Sequence, residues 1–211
     1  MLHVQELELA HRRGVPLIKN LSFSVNAGSL LHVKGPNGCG KSTLLSSLAG
    51  LHAPTSGCIK FESGSDQVIQ KAYLPAESDG HFIRLDAINN LKFWTSMGGR
   101  HPSDSDLVSA LTQWGLGHEL TRQGLPVMKF STGMKRRLAL CRISLSHAAC
   151  WLLDEPTRGL DHEAIQLLRT TIASHISSGG TAVVVSHDDL DFDSISMQTL
   201  ELKKYAPRGH A

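Results

Sequence analysis

The chain has 211 residues, 41% hydrophobic and 19% charged, enough for one sizeable globular domain with room for an inserted subdomain. Its net charge of +2 is too mild to argue for nucleic acid or an anionic membrane surface as a partner. No apolar run approaches the ~20 residues needed to span a bilayer.

Met1-Leu2-His3-Val4-Gln5-Glu6 lacks the basic and apolar segments of a signal peptide. The four cysteines, Cys39, Cys58, Cys141 and Cys150, have no metal-ligand spacing. A reducing, cytosolic setting is expected, with any membrane role arising through a partner.

Residues 2–9 alternate partly between apolar and polar, as in a strand with one covered face. His11-Arg12-Arg13-Gly14 reads as a turn, and Leu17–Val25 as a second strand with Leu21, Phe23 and Val25 on one face. Ser29–Val33 is an apolar strand, followed by a glycine-rich stretch and a helix over Thr43–Ala49. Turn chemistry dominates Leu51–Gly57. Short strands are expected at Cys58–Phe61 and Val68–Leu74.

From Ala76 to about Ser146 strand patterns vanish. Leu85, Ile88, Leu91 and Trp94 fall at helical spacing, and Asp104–Trp114 and Ser131–Leu145 read as further helices. The expectation is a helical subdomain of about 78–146 inserted in one domain spanning 1–211. Strand character returns at Ala149–Leu153 and Thr181–Ser186, with a helix over 162–177 between them. The polar tail from Leu202 is expected to fray.

The stretch Gly35-Pro36-Asn37-Gly38-Cys39-Gly40-Lys41-Ser42 matches G-x-x-x-x-G-K-[ST] at every fixed position. It lies between a strand and a helix that opens near Thr43, the context of a phosphate-binding loop. Glycines let the backbone curl so that N–H groups converge, and the helix N-terminus adds a positive dipole end. Lys41 is placed to reach the β- and γ-phosphates and Ser42 to ligate Mg²⁺.

Downstream, the apolar run Trp151-Leu152-Leu153 ends in Asp154-Glu155. A strand ending in Asp places a carboxylate at the carboxyl edge of the sheet, where ligands bind in open α/β folds. Asp154 is the candidate to hold Mg²⁺ through water, and Glu155 to polarise the attacking water. Of the twelve scattered histidines, His187 follows a buried strand onto the same edge, where an imidazole can hydrogen-bond a γ-phosphate or hold water.

The phosphate loop, helical insertion, Phe130-Ser131-Thr132-Gly133-Met134, Leu153-Asp154-Glu155-Pro156, Arg158-Gly159-Leu160-Asp161 and His187 occur in that order. In this order they resemble the ATP-binding-cassette ATPases over nearly the whole chain. The resemblance implies a P-loop NTPase core of mainly parallel sheet, an N-terminal antiparallel β part and an inserted helical subdomain. It implies ATP and Mg²⁺ as cofactors and a Mg-dependent ATPase coupled to transport.

By the same resemblance two cassettes close head to tail, most simply as a homodimer. Ser131, Thr132 and Gly133 of one then face the nucleotide on the other's phosphate loop, and Asp161 is a dimer contact. Three positions depart from the family pattern. Met134 replaces the usual glutamine and cannot donate a side-chain hydrogen bond. Glu77, or Ala76 by one residue of register, stands where a glutamine ligates Mg²⁺. His11, or Arg12, stands where an aromatic residue stacks on adenine.

Among short cassettes, the segments Asn20–Phe23, Tyr73-Leu74…Leu91-Lys92-Phe93, Ser131–Leu140 and Trp151–Pro156 most resemble the ATP-binding subunits of the haem exporters of cytochrome c maturation. That implies integral-membrane partner subunits, a peripheral place on the cytoplasmic face of the inner membrane, and no nucleic-acid partner. Phe82, Ile83, Phe93 and Trp94 are candidates either for meeting a partner's cytoplasmic helix or for internal core. Three alternatives remain: another small exporter's ATPase, a non-transport cassette acting on nucleic acid or ribosomes, and a nucleotide-binding regulator with lost catalysis, suggested by Glu77 and Met134 and opposed by Lys41, Asp154, Glu155 and His187.

Overall fold

The computed structural model describes residues 1–11, 14–62, 69–77, 79–117, 124–187, 192 and 195–207. The chain divides into two compact units. The first comprises Met1–Pro75, Ala148–Glu155 and Ile172–Ala211; the second comprises Ala76–His147 and Pro156–Thr171.

The first unit holds two sheets. One is antiparallel, in the order β2-β1-β4, from β1 (Leu2–Ala10), β2 (Pro16–Val25) and β4 (Ser56–Phe61). The partial alternation in β1 has a local cause. Leu2 and Val4 are buried, as are Leu7 and Leu9, so the inward phase slips by one residue between them. The register against β2 shifts there, and Glu6 sits at φ 47 with its N–H donating to Ser22 Oγ at 2.9 Å. A β-bulge re-aims the strand and keeps four aliphatic side chains on one face. Asn20, at φ 52, does the same in β2 and brings both Ile18 and Leu21 inward.

The other sheet is parallel, in the order β5-β6-β7-β3-β8. Its strands are β3 (Ser29–Lys34), β5 (Lys71–Leu74), β6 (Cys150–Asp154), β7 (Thr181–Val185) and β8 (Ser196–Glu201). Every residue of β6 and β7 is buried, as near-continuous apolar runs require in a sheet covered on both faces. Helix α1 (Lys41–Leu48) contributes Leu44, Leu45 and Leu48 to the core shared by the two sheets. Each such leucine contributes roughly 1.5–3 kcal/mol by leaving water. The α/β class, with a mainly parallel sheet and an antiparallel N-terminal part, is the one expected from the sequence.

The C-terminal region departs from expectation. Ser196–Glu201 forms an edge strand the sequence reading missed, because only Leu200 and no alternating apolar set is buried in it. Leu202–Tyr205 makes a 3-10 turn and Leu202 is fully buried in the core, so this part of the tail is anchored rather than frayed. Residues 208–211 lie outside the described region.

In the second unit three helices pack together: α2 (Ala87–Met97), α3 (Asp104–Gln113) and α4 (Thr132–Leu145). Asp86 caps α2 by accepting from Asn89 N at 2.8 Å. Ser103 and Asp106 form a reciprocal capping box on α3, and the Ser103 hydrogen bonds hold the Asp106 carboxyl below its usual pKa. The inward face of α2 is Ala87, Asn90, Leu91 and Thr95, rotated from the expected Leu85–Ile88–Leu91 stripe. Leu85 precedes the cap and is exposed. The fifth helix, α5, runs from His162 to Ser177.

Candidate active site

In the first unit the phosphate loop leaves the carboxyl end of β3 and enters α1. Two of its glycines are required by conformation. Gly38 lies at φ 79, and Gly40, the α1 N-cap residue, at φ 99 and ψ 13, where a Cβ would press to 3.3 Å from Ile18 Cδ1. Gly35 is required by space: a Cβ there would lie 2.7 Å from Cys39 Sγ. Lys41 is 8% exposed, and its ammonium donates to Gly35 O at 2.7 Å and Pro36 O at 3.1 Å. The loop's own carbonyls thus hold the charge over its backbone. Ser42 and Thr43 fall in the first turn of α1.

Asp154 closes β6 opposite Val185 of β7 and is 1% exposed. Glu155 follows at φ 45, a left-handed conformation uncommon for a non-glycine residue, and its N–H donates to Val185 O at 2.8 Å. That bond fixes the Glu155 backbone at the carboxyl edge of the sheet, where its side chain starts. Past the end of β7, His187 Nε2 lies 3.4 Å from Glu155 Oε1. Glu155 and His187, 32 positions apart in sequence, therefore meet, as shared placement on one sheet edge requires.

His11 is exposed in the β1–β2 turn, where its N–H donates to Val15 O at 2.7 Å. Arg12, its alternative, lies outside the described residues. His52 went unnoticed in the sequence. Its Nε2 donates to Ala10 O at 3.1 Å and steadies the entry to that turn. No spacing rule singles it out.

The second unit carries the remaining candidates. Ser131, extended at φ −64 and ψ 165, caps α4 and accepts from Met134 N at 3.2 Å. Met134 thus contributes through its backbone, which glutamine would supply equally. At Gly133 a Cβ would come within 2.8 Å of Gly159 O, so close backbone approach demands glycine. Asp161 accepts from Ala164 N at 3.0 Å and from the Arg137 guanidinium. The Ala164 amide foremost, then Arg137, hold its carboxyl below the usual range. Glu77 is exposed in a bend at the start of this unit.

A second surface lies in the same unit. Asn90 is 1% exposed and spends its amide on the 82–86 turn, accepting from Phe82 N at 2.8 Å and donating to Phe82 O at 3.0 Å and Asp86 O at 2.9 Å. Met128 N donates to Ile83 O at 2.8 Å and Val127 N to Leu85 O at 2.9 Å. This scaffold leaves Phe82, Ile83, Phe93, Met97 and Met128 exposed. Trp94 is only partly exposed, with Arg142 stacked over its ring at 4.6 Å, and belongs to the unit's own packing.

The family model described as "ABC transporter" matches residues 18–158. The chain belongs to this ATP-binding-cassette family. It is an ATP-hydrolysing subunit of the transporter type. It is 36% identical over 208 residues to the cytochrome c biogenesis ATP-binding export protein CcmA of Ruegeria pomeroyi, covering 98% of this chain and 93% of that one. It is 34% identical to the protein of the same name from Vibrio vulnificus, over 96% and 99% of the two chains. In fold it matches an ABC-transporter ATP-binding protein of Pyrococcus furiosus at TM-score 0.80, with 21% identity over 98% and 99%. It also matches a dimeric ATP-binding cassette in a post-hydrolysis state bound to ADP and Pi, at TM-score 0.73 and 21% identity over 89% and 88%.

Proposed function

We propose that the chain is the ATPase subunit of an export complex serving cytochrome c biogenesis, and that its hydrolysis drives haem delivery through integral-membrane partners. The near-full-length similarity to proteins named for that process supports the cellular role. The observation that carries the chemistry is the meeting of Glu155 and His187 on the sheet edge that also receives the phosphate loop and Asp154.

In this reading the loop amides and Lys41 bind the β- and γ-phosphates, with Pro36, Asn37 and Cys39 supplying backbone between the glycines. Glu155 takes a proton from the attacking water as oxygen bonds to the γ-phosphorus and the bridge to ADP breaks. His187 orients Glu155 and the γ-phosphate. His11 is assigned to the adenine.

The donor set suits Mg²⁺: a serine hydroxyl and a buried aspartate are hard oxygen ligands for an ion that keeps several waters and leans on substrate phosphates. Ser42 and Asp154 would hold it, with Glu77 as a further candidate. When bound it neutralises charge on the phosphates.

Two copies complete the sites, Ser131, Thr132 and Gly133 of one meeting the nucleotide of the other. No helix among the described residues is long and apolar enough to cross a membrane. The proposed place, resting on the similarity to export proteins, is peripheral on the cytoplasmic face, with the exposed Phe82–Ile83 surface receiving a membrane partner. Affinity purification from membranes tests this. Recovery of haem-handling membrane proteins, lost on Ile83→Glu, is expected; recovery of ribosomes or DNA would overturn it.

A further inference from the structure

Two loops proposed to meet a second copy, the Ser131–Gly133 turn and the loop ending at Asp161, are joined inside the second unit. They touch at two points. Gly133 lies so close to Gly159 that a Cβ would come within 2.8 Å of its carbonyl oxygen. Six residues beyond the Ser131 cap, Arg137 of α4 reaches Asp161 with one terminal nitrogen. Its other terminal nitrogen donates to Trp114 O at 3.4 Å, at the end of α3.

Gly115 lies at φ 69, a conformation side chains rarely adopt, beside a terminal nitrogen of that guanidinium. The second oxygen of Asp161 accepts from Ala164 N in the first turn of α5. A single guanidinium therefore links the end of α3, the body of α4 and the start of α5.

We propose that Arg137 is a positioning residue that holds the Ser131–Gly133 turn and the Asp161 loop as one block, so that both are presented together to a second copy. The proposal rests on the paired-copy reading above. The Asp161 side chain is 59% exposed and that of Arg137 21%. Ion pairs of this kind contribute little to stability. Their consequence here is geometric. A loop displaced by about 1 Å from a reacting centre can cost on the order of 100-fold in rate while leaving folding intact. Lysine's ammonium donates from a single nitrogen and lacks the planar fork whose two separate terminal nitrogens reach Trp114 O and Asp161.

A double-mutant cycle with Arg137→Met and Asp161→Asn tests this, reading steady-state phosphate release at saturating Mg-ATP across protein concentrations. Fluorescent-nucleotide binding to the isolated subunit and the melting temperature are measured alongside. Each single variant should slow hydrolysis by about 10- to 100-fold, with nucleotide affinity and melting temperature held. Arg137→Met should add nothing in the Asp161→Asn background. Arg137→Lys, which keeps the charge and folds on the same packing, should be as slow as Arg137→Met.

Multiplicative losses, a wild-type rate in Arg137→Lys, or lost nucleotide binding in Arg137→Met would each overturn the positioning role. A wild-type specific activity that does not rise with protein concentration would remove the paired-copy reading and this role with it. Additive free energies on a concentration-dependent wild type would remove this role alone.

Discussion

Replacing Glu155 by glutamine removes the charge and keeps the shape. Glu155 is held by its own N–H on Val185 O at 2.8 Å, so the backbone stays where β7 fixes it. The lost feature is a carboxylate, 21% exposed and 3.4 Å from His187 Nε2. If that carboxylate accepts the proton of water, hydrolysis should fall by the worth of general-base assistance, about 10²–10⁴-fold. At 1.36 kcal/mol per tenfold this is about 2.7–5.4 kcal/mol of barrier.

ATP affinity should hold, because the proposed contacts to the phosphates are Lys41 and the loop backbone. Single-turnover phosphate release and equilibrium nucleotide binding, measured on the same preparation, separate the two. Glu155→Gly is the companion. It loses the same carboxylate but relaxes a left-handed backbone at φ 45 that costs an ordinary residue ~1–2 kcal/mol. After the greater freedom of glycine in the unfolded chain is subtracted, a net gain of about 1 kcal/mol remains, or roughly 2–4 °C in melting temperature. The glycine variant should be as slow as the glutamine variant and melt higher. Wild-type turnover in Glu155→Gln would refute the assignment; a loss of ATP affinity as large as the loss of rate would refute the claim that Glu155 acts on chemistry alone.

Gly40→Ala forces a Cβ into φ 99 against Ile18 and Leu17 at 3.3–3.4 Å; about 1–2 kcal/mol of strain should lower the melting temperature by a few degrees and weaken ATP binding, read by calorimetry and nucleotide titration. N-ethylmaleimide on Cys39 should block nucleotide binding, ATP should protect the thiol, and Cys39→Ser should be resistant. Cys141 and Cys150, buried and with thiols pushed up to about 12, should stay unlabelled. Full ATP affinity after modification would end that idea. His175 stacks on Trp151 at 4.0 Å and donates to Thr181 O at 3.2 Å. Burial outweighs that hydrogen bond and pushes its pKa down. The unfolded chain then binds the proton first, so stability should fall as pH drops below about 6.5, by at most ~1.4 kcal/mol per unit. Denaturant midpoints at pH 7.5 and 5.5 check this, and His175→Phe should shrink the difference, the remainder staying with His81, whose pKa burial also pushes down.

The parts legible in the sequence share one property: local pattern and chemistry coincide there. In Gly35–Ser42 the backbone conformation at Gly38 and Gly40 and the proposed phosphate binding call for the same residues. The apolar runs into Asp154 and His187 read as strands because a sheet covered on both faces leaves no polar position. Ser196–Glu201 was illegible for the opposite reason. An edge strand needs one buried side chain, Leu200, to be held, and one residue makes no period. The bulges at Glu6 and Asn20 likewise break the alternation that would announce their strands.

The clamp at Arg137 shows where pattern reading ends for a different reason. In the run Lys135-Arg136-Arg137 the three cations are alike by composition, yet the fold gives each its own task. Lys135 lends its carbonyl to His81 Nε2 at 2.8 Å. Arg136, whose side chain is 4% exposed, pairs with Asp79 at 3.0 Å. Arg137 joins Trp114 and Asp161. The Arg136 and Arg137 side chains point to different sides because consecutive helical residues are turned about 100° apart. Which of them would serve the Asp161 loop depends on where α3 and α5 come to lie. The lone signal in the sequence is Gly115, a helix-ending glycine that reads as a C-cap. That the Arg137 guanidinium comes to lie beside it becomes visible only once the helices are packed. Met134 teaches the complementary lesson. It looks like a defect in the family pattern, yet its N–H donates to Ser131 Oγ as any residue's would. The turn keeps its cap because the backbone supplies it, so the missing side-chain donor leaves the fold of this turn intact and matters only to the proposed contact with a second copy.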